Sequence, residues 1–201
     1  MGLGLRKLMV VAGGALCMSL SVGGAKAAVI VLGSGLAQMC YEAARAIEEP
    51  MLMQITGSRI DLPPLQICTM AINAGDLTGR DLAGTHNNRG VVLFAEGRFT
   101  EALRDFDQGI RFQNNIGEIH VNRGASLVAL KRWSDSVPSL NRGIELGATE
   151  LEKAYYNRAI AYEELGDVRR AYFDYVRATE LKPEWEDPKL QLTRFTVRKK
   201  S

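Results

Sequence analysis

Apolar residues gather along this chain in short groups at helical spacing, separated by glycine, proline and polar turns. Ala102, Phe106, Gly109 and Ile110 stand at i, i+4, i+7 and i+8, which puts them on one face of a helix that must be buried. Leu36 to Ile47 and Leu65 to Ile72 read as two more helices, joined by a loop that holds Gly57, Pro63 and Pro64. Near the end, Asp187-Pro188 is a helix-start pairing, and Leu190, Phe195 and Val197 offer an apolar side among Lys189, Arg194 and Arg198, so residues 187–198 are expected to form a solvating helix. The first 27 residues follow a different pattern. Arg6 and Lys7 precede an apolar, glycine-studded stretch from Leu8 to Val22, and Ala25-Lys26-Ala27 supplies a small-x-small cleavage pattern. The stretch is shorter than the ~20 apolar residues that span a bilayer, so a cleaved export signal is expected. The apolar run from Ala28 to Leu36 leaves the alternative of an uncleaved, membrane-held form.

Superposing the chain on itself reveals a fixed period. Asn88-Arg89-Gly90 recurs as Asn122-Arg123-Gly124, Phe99 as Trp133, and Gly109-Ile110 as Gly143-Ile144, each pair separated by 34 positions. Asn157-Arg158-Ala159 follows after 35, which places one inserted residue near Gly147-Ala148-Thr149. The third copy carries Tyr155, Ala159, Tyr162, Gly166, Ala171, Tyr175, Ala178 and Pro183; the first carries Gly90, Leu93, Gly97, Phe99, Ala102 and Phe106, with His86 at an aromatic position and Asn114 at the proline. The second carries Gly124, Leu127, Trp133, Leu140 and Gly143, with Ser136 at the small Ala and Ala148 at the proline. On these positions residues 83 to 185 resemble the tetratricopeptide repeat family. The resemblance implies an all-α, short right-handed solenoid of about three helical hairpins, at 83–116, 117–151 and 152–185. Residues 28–82 are then an N-terminal helical cap or degenerate repeat, and 186–201 a C-terminal capping helix with a basic tail. Gly90, Gly124 and Ala159 let paired helices approach closely, and Gly97 and Gly166 suit a left-handed turn. Pro138 calls for a second helix in copy two that starts late, near Ser136, so that the proline falls in its first turn.

Asn88, Asn122 and Asn157 share one repeat position, so stacking aligns them along the concave surface. The family resemblance implies that amides there bind an extended peptide, since each offers a donor and an acceptor. Lys153 matches a place where some family members hold a peptide's terminal carboxylate, although the first-copy equivalent is Gly84 and the full clamp is absent. The expected partner-binding set is Asn88, Asn122, Lys153, Tyr156 and Asn157; the competing reading has the Asn-Arg pairs hydrogen-bonded within the array. Arg89, Arg123 and Arg158 are expected to pair with acids on the adjacent helix, from among Glu96, Asp105, Asp107, Glu163 and Glu164. His86 and His120 occupy one repeat position and are explained by packing, because a metal site needs a third and fourth ligand. The chain shows no glycine-rich phosphate loop, nucleophile elbow or isolated carboxylate pair, so no catalytic residue, cofactor or metal is assigned.

Composition narrows the class of partner. There are 25 basic and 23 acidic residues; loss of Arg6, Lys7 and Lys26 with the signal leaves 22 against 23, a net charge of −1. Such a balance excludes binding dominated by phosphate contacts, so nucleic acid is not expected. Of three cysteines, Cys17 belongs to the signal, leaving Cys40 and Cys68 in an oxidising compartment. A disulfide between them removes roughly 3 kcal/mol of denatured-state entropy; two separate buried thiols are the alternative. The expected function is a non-enzymatic adaptor, periplasmic or secreted in a bacterium, that binds a segment of another envelope protein. The alternatives are a self-associating structural protein, or a metal-binding protein or enzyme built on His86 and His120.

Overall fold

The computed structural model describes residues 4–7, 35–48 and 62–198. Most of the expected export signal, the loop glycine Gly57 and the last residues of the basic tail lie outside that range. Two helices come first, α1 (Gly35–Glu48) and α2 (Pro64–Asn73), packed on each other as expected. Three hairpins follow: α3 (Gly79–Ala95) with α4 (Phe99–Phe112), α5 (Gly117–Ala129) with α6 (Trp133–Glu145), and α7 (Leu151–Glu164) with α8 (Val168–Leu181). Each helix packs most heavily on its hairpin partner, and α2, α4 and α6 pack on the first helix of the next pair. The fold is an all-α solenoid of helical repeats. Among the described residues no helix is long and apolar enough to cross a membrane.

The hairpin turns repeat to the atom. After α3 the N–H of Arg98 donates to the Leu93 carbonyl at 2.9 Å, after α5 that of Arg132 donates to Leu127 at 2.8 Å, and after α7 that of Asp167 donates to Tyr162 at 2.8 Å. This closure needs one residue in the left-handed region. Gly97 (φ 76°) and Gly166 (φ 82°) supply it without steric cost, but the second hairpin uses Lys131 at φ 58°.

Close helix pairing follows from small residues set against large ones. A methyl group on Gly90 falls 2.5 Å from the Phe106 ring, and one on Gly124 falls 2.5 Å from Leu140, so neither site accepts a Cβ without movement. The third hairpin keeps Ala159, where fully buried Tyr175 fills the corresponding place. Besides a small cluster of Ala37, Ala71 and Leu77, the core forms two large ones. One runs from Cys40 and Ala44 through Phe106 to Ile119 and Ala125; the other starts at Val121 and Val128 and continues to Tyr175 and Ala178, so α5 gives one face to each.

Two expectations are corrected. Helix α6 begins at Trp133 and not near Ser136, so Pro138 stands in its second turn. The helix tolerates this because Ser134, whose carbonyl loses its i+4 donor, and Pro138 itself both lie on the exposed side. At the C-terminus the expected helix over 187–198 is only α9 (Glu186–Leu192); the chain then extends as strand β2 (Phe195–Arg198), antiparallel to β1 (Gly4–Lys7), with Gly4 opposite Arg198. The run Phe195-Thr196-Val197 is aromatic and β-branched and favours extended backbone. Leu190, expected on the buried side, is 62% exposed. The end of the stack is covered instead by Trp185, 4.7 Å from the Tyr156 ring, by buried Pro188, and by Phe195, whose ring lies 5.8 Å from Tyr172 and 5.9 Å from Tyr175.

Candidate partner-binding site

The repeat places Asn88, Asn122 and Asn157 at equivalent positions of α3, α5 and α7, and all three are buried. Asn122 donates from Nδ2 to Asn87 Oδ1 at 2.9 Å, tying α5 to α3. Asn87 in turn donates to Asn88 Oδ1 at 3.4 Å. Asn87, Asn88 and Asn122 thus bond to one another within the array, and Asn157 is buried like them. Lys153 is paired with Glu150 at the start of α7 and its side chain is 15% exposed. Tyr156 is fully buried, edge-on to Tyr175 at 5.7 Å. Burial, and then the charge of Asp187, push its hydroxyl up to about 12. In this structure Tyr156 is a core residue.

The arginines form the most regular polar feature. Arg89 grips Asp105 with two bonds of 2.7 Å, from Nε to Oδ2 and from Nη2 to Oδ1, and Arg158 grips Asp174 in the same way at 2.7 and 2.8 Å. Each pair joins the two helices of one hairpin. Each arginine also reaches the second helix of the preceding pair: Arg89 donates to Thr69 at 3.5 Å, and Arg158 to Asn141 at 2.7 Å. The paired-acid expectation thus holds at Asp105 and extends to Asp174, which sequence reasoning had not singled out. Its signal was available, since Arg89 to Asp105 and Arg158 to Asp174 are both spaced by 16.

Asp105 lies among opposing influences. Burial raises its pKa, but the hydrogen bonds from Arg89 and His86 outweigh burial and hold the carboxyl below the usual range. His86 Nδ1 lies 3.0 Å from Asp105 Oδ1, with its ring stacked 5.6 Å from Phe112. His120 is engaged elsewhere, its Nε2 2.9 Å from the Asn114 carbonyl, and burial first, then Arg142 and Arg123, lower its pKa. The two histidines therefore sit in different surroundings, and the described residues contain no group of three metal-type donors. At the other end of the array Glu163 accepts from the Tyr175 hydroxyl at 3.0 Å and from Arg194 at 2.7 Å, and burial with the Glu163 charge raises the Tyr175 pKa. In the N-terminal pair the Cys40 and Cys68 sulfurs lie 2.11 Å apart.

Residues 152–185, the third hairpin, match the family model for the Tetratricopeptide repeat. The chain is similar to Sperm-associated antigen 1A of Danio rerio, 32% identical over 96 residues, a match covering 44% of this chain and 22% of that protein. It thus spans about a fifth of the length of that curated relative. Among solved structures, MamA 41-end from Desulfovibrio magneticus RS-1 superposes with a TM-score of 0.60 at 16% identity, over 79% of this chain and 82% of that one. The first TPR of Spaghetti (RPAP3) bound to HSP90 peptide SRMEEVD superposes at 0.54 with 23% identity, over 58% and 91%. Both likenesses show the shared fold.

Proposed function

Because the chain carries an array of tetratricopeptide repeats, we propose that it is a non-enzymatic protein-interaction scaffold, exported to the bacterial envelope, that holds an extended segment of a partner protein. The observation that carries the reading is the array itself: three stacked hairpins, the last matching the family model, without a catalytic constellation among the described residues. A structural relative with this fold was solved with a peptide bound, which supports a peptide segment as the form of the partner. The face that the repeat positions of Lys153 and Asn157 mark, expected to be the concave one, is the place to look first. Export rests on Arg6, Lys7, the apolar stretch after them and Ala25-Lys26-Ala27, and the two cysteines beyond the signal, Cys40 and Cys68, suit an oxidising compartment.

Selection of extended peptides from a displayed library against the mature chain tests the scaffold. Binders are expected in the micromolar range, weakened by Lys153→Glu while the helical circular dichroism spectrum persists. A selection that yields nothing above background, or binders indifferent to Lys153→Glu, sinks the concave reading. Alkylation of the exported chain before and after reduction tests the cysteines; thiols that label without reductant rule out a disulfide.

A further inference from the structure

The outer groove bounded by α4, α5 and α6 breaks the charge pattern of its neighbours. In the first and third hairpins the second helix supplies an aspartate, Asp105 or Asp174, that neutralises the repeat arginine. At the corresponding position of the second hairpin stands Ser139, whose hydroxyl accepts from Arg123 but brings no charge. Arg123 turns to Asp107 of the preceding hairpin, at 2.7 Å, and that carboxylate is 44% exposed. Arg111 from α4 and Arg142 from α6 line the same groove, which has a volume of about 550 Å³. Three guanidiniums thus face one carboxylate of the groove. Arg142 has a further contact with Glu145 at 3.3 Å, but both side chains are mostly in solvent, and such a pair exchanges readily for a better-placed anion. The homologous groove one hairpin earlier is smaller, about 290 Å³, and there two carboxylates, Asp105 and Glu101, already pair with two of its three arginines, Arg89 and Arg98.

We propose that the α4–α5–α6 groove is a docking site for an acidic, Asp/Glu-rich segment of a partner protein, separate from the concave side. The loss of one aspartate leaves an arginine cluster that carboxylates can complete with forked, charge-assisted hydrogen bonds. An occupant's carboxylates meet the guanidiniums of Arg111, Arg123 and Arg142, and those same groups repel a basic segment.

A fluorescein-labelled alternating Glu-Gly peptide, with alternating Gln-Gly as neutral control, tests the proposal by anisotropy titration of the full chain. Saturable binding of the Glu-Gly peptide alone is expected. Ser139→Asp restores the aspartate that the other hairpins carry, so it folds at least as well by thermal melting and weakens binding about tenfold or more. Arg111→Gln combined with Arg142→Gln, both on exposed side chains, abolishes it, and Lys153→Gln leaves it unchanged. Equal affinity in wild type and Ser139→Asp, a Lys153→Gln loss as large as that of Ser139→Asp, or no saturable binding at all overturns the groove. Each result is independent of whether the concave side binds its own peptide.

Discussion

Two carboxylates two residues apart on α4 show how far environment decides the worth of a charge. Asp105 is 6% exposed and holds the fork of Arg89 and the His86 ring; Asp107 is 44% exposed and meets Arg123 through one bond. Asp105→Asn is expected to cost about 2 kcal/mol, because the partly buried Arg89 guanidinium loses its counter-charge. Asp107→Asn should cost under about 1 kcal/mol. Urea unfolding of both variants measures the contrast, and similar losses would refute it. The same pair sets a pH dependence. The Asp105 carboxyl is held below its usual value in the folded chain, so its contribution is fully present above the unfolded pKa of about 4 and disappears as pH falls through the lower folded value. Wild-type stability should therefore fall more steeply below about pH 4 than that of Asp105→Asn; parallel curves would show that the pair is not the acid-sensitive element.

The hairpin is the unit that a 34-residue period makes readable, because its turn glycines, its small and large packing positions and its amphipathic faces recur together. The second hairpin departs from that pattern at Lys131, Pro138 and Ser139. Lys131 holds φ 58° where both neighbours have glycine. Lys131→Gly should raise stability by about 1 kcal/mol by removing left-handed strain, seen as a higher urea midpoint at unchanged slope. An unchanged or lower midpoint would mean that the lysine side chain contributes something the backbone conceals. The N-terminal pair, the hairpins and the nearness of Cys40 to Cys68 were legible in the residues. Two kinds of feature were not. Residues 193–198 carry an apolar spacing that suits a helix on paper, but Thr196 and Val197 favour strand, and the far partner Gly4–Lys7 is invisible to local patterning. The asparagines are polar by type, and residue type does not tell an exposed amide from one satisfied inside; burial of Asn88, Asn122 and Asn157 is set by neighbouring hairpins.

In a stack where each unit touches only its neighbours, stability is a sum of local terms and interface terms, so opening starts wherever that sum is least. Repeat arrays commonly lose their terminal units first, yet here both ends are secured. Cys40 lies against Cys68 in front; behind, Arg194 reaches Glu163, and Trp185 and Phe195 cover Tyr156 and Tyr175. The middle has a strained turn, a proline within its second helix and a serine where an aspartate would lock the arginine. Hydrogen exchange followed by mass spectrometry should find α5 and α6 less protected than α3, α4, α7 and α8. Uniform protection, or the slowest exchange in α6, would remove the middle as the weak unit. The divided core at α5 then acquires a mechanical meaning. With α5 facing one large cluster on each side, opening of the middle hairpin would part the two clusters, and the arc would bend there. A partner that grips the array on both sides of α5 would stiffen it there, and one that docks on a single side would leave the other free to swing.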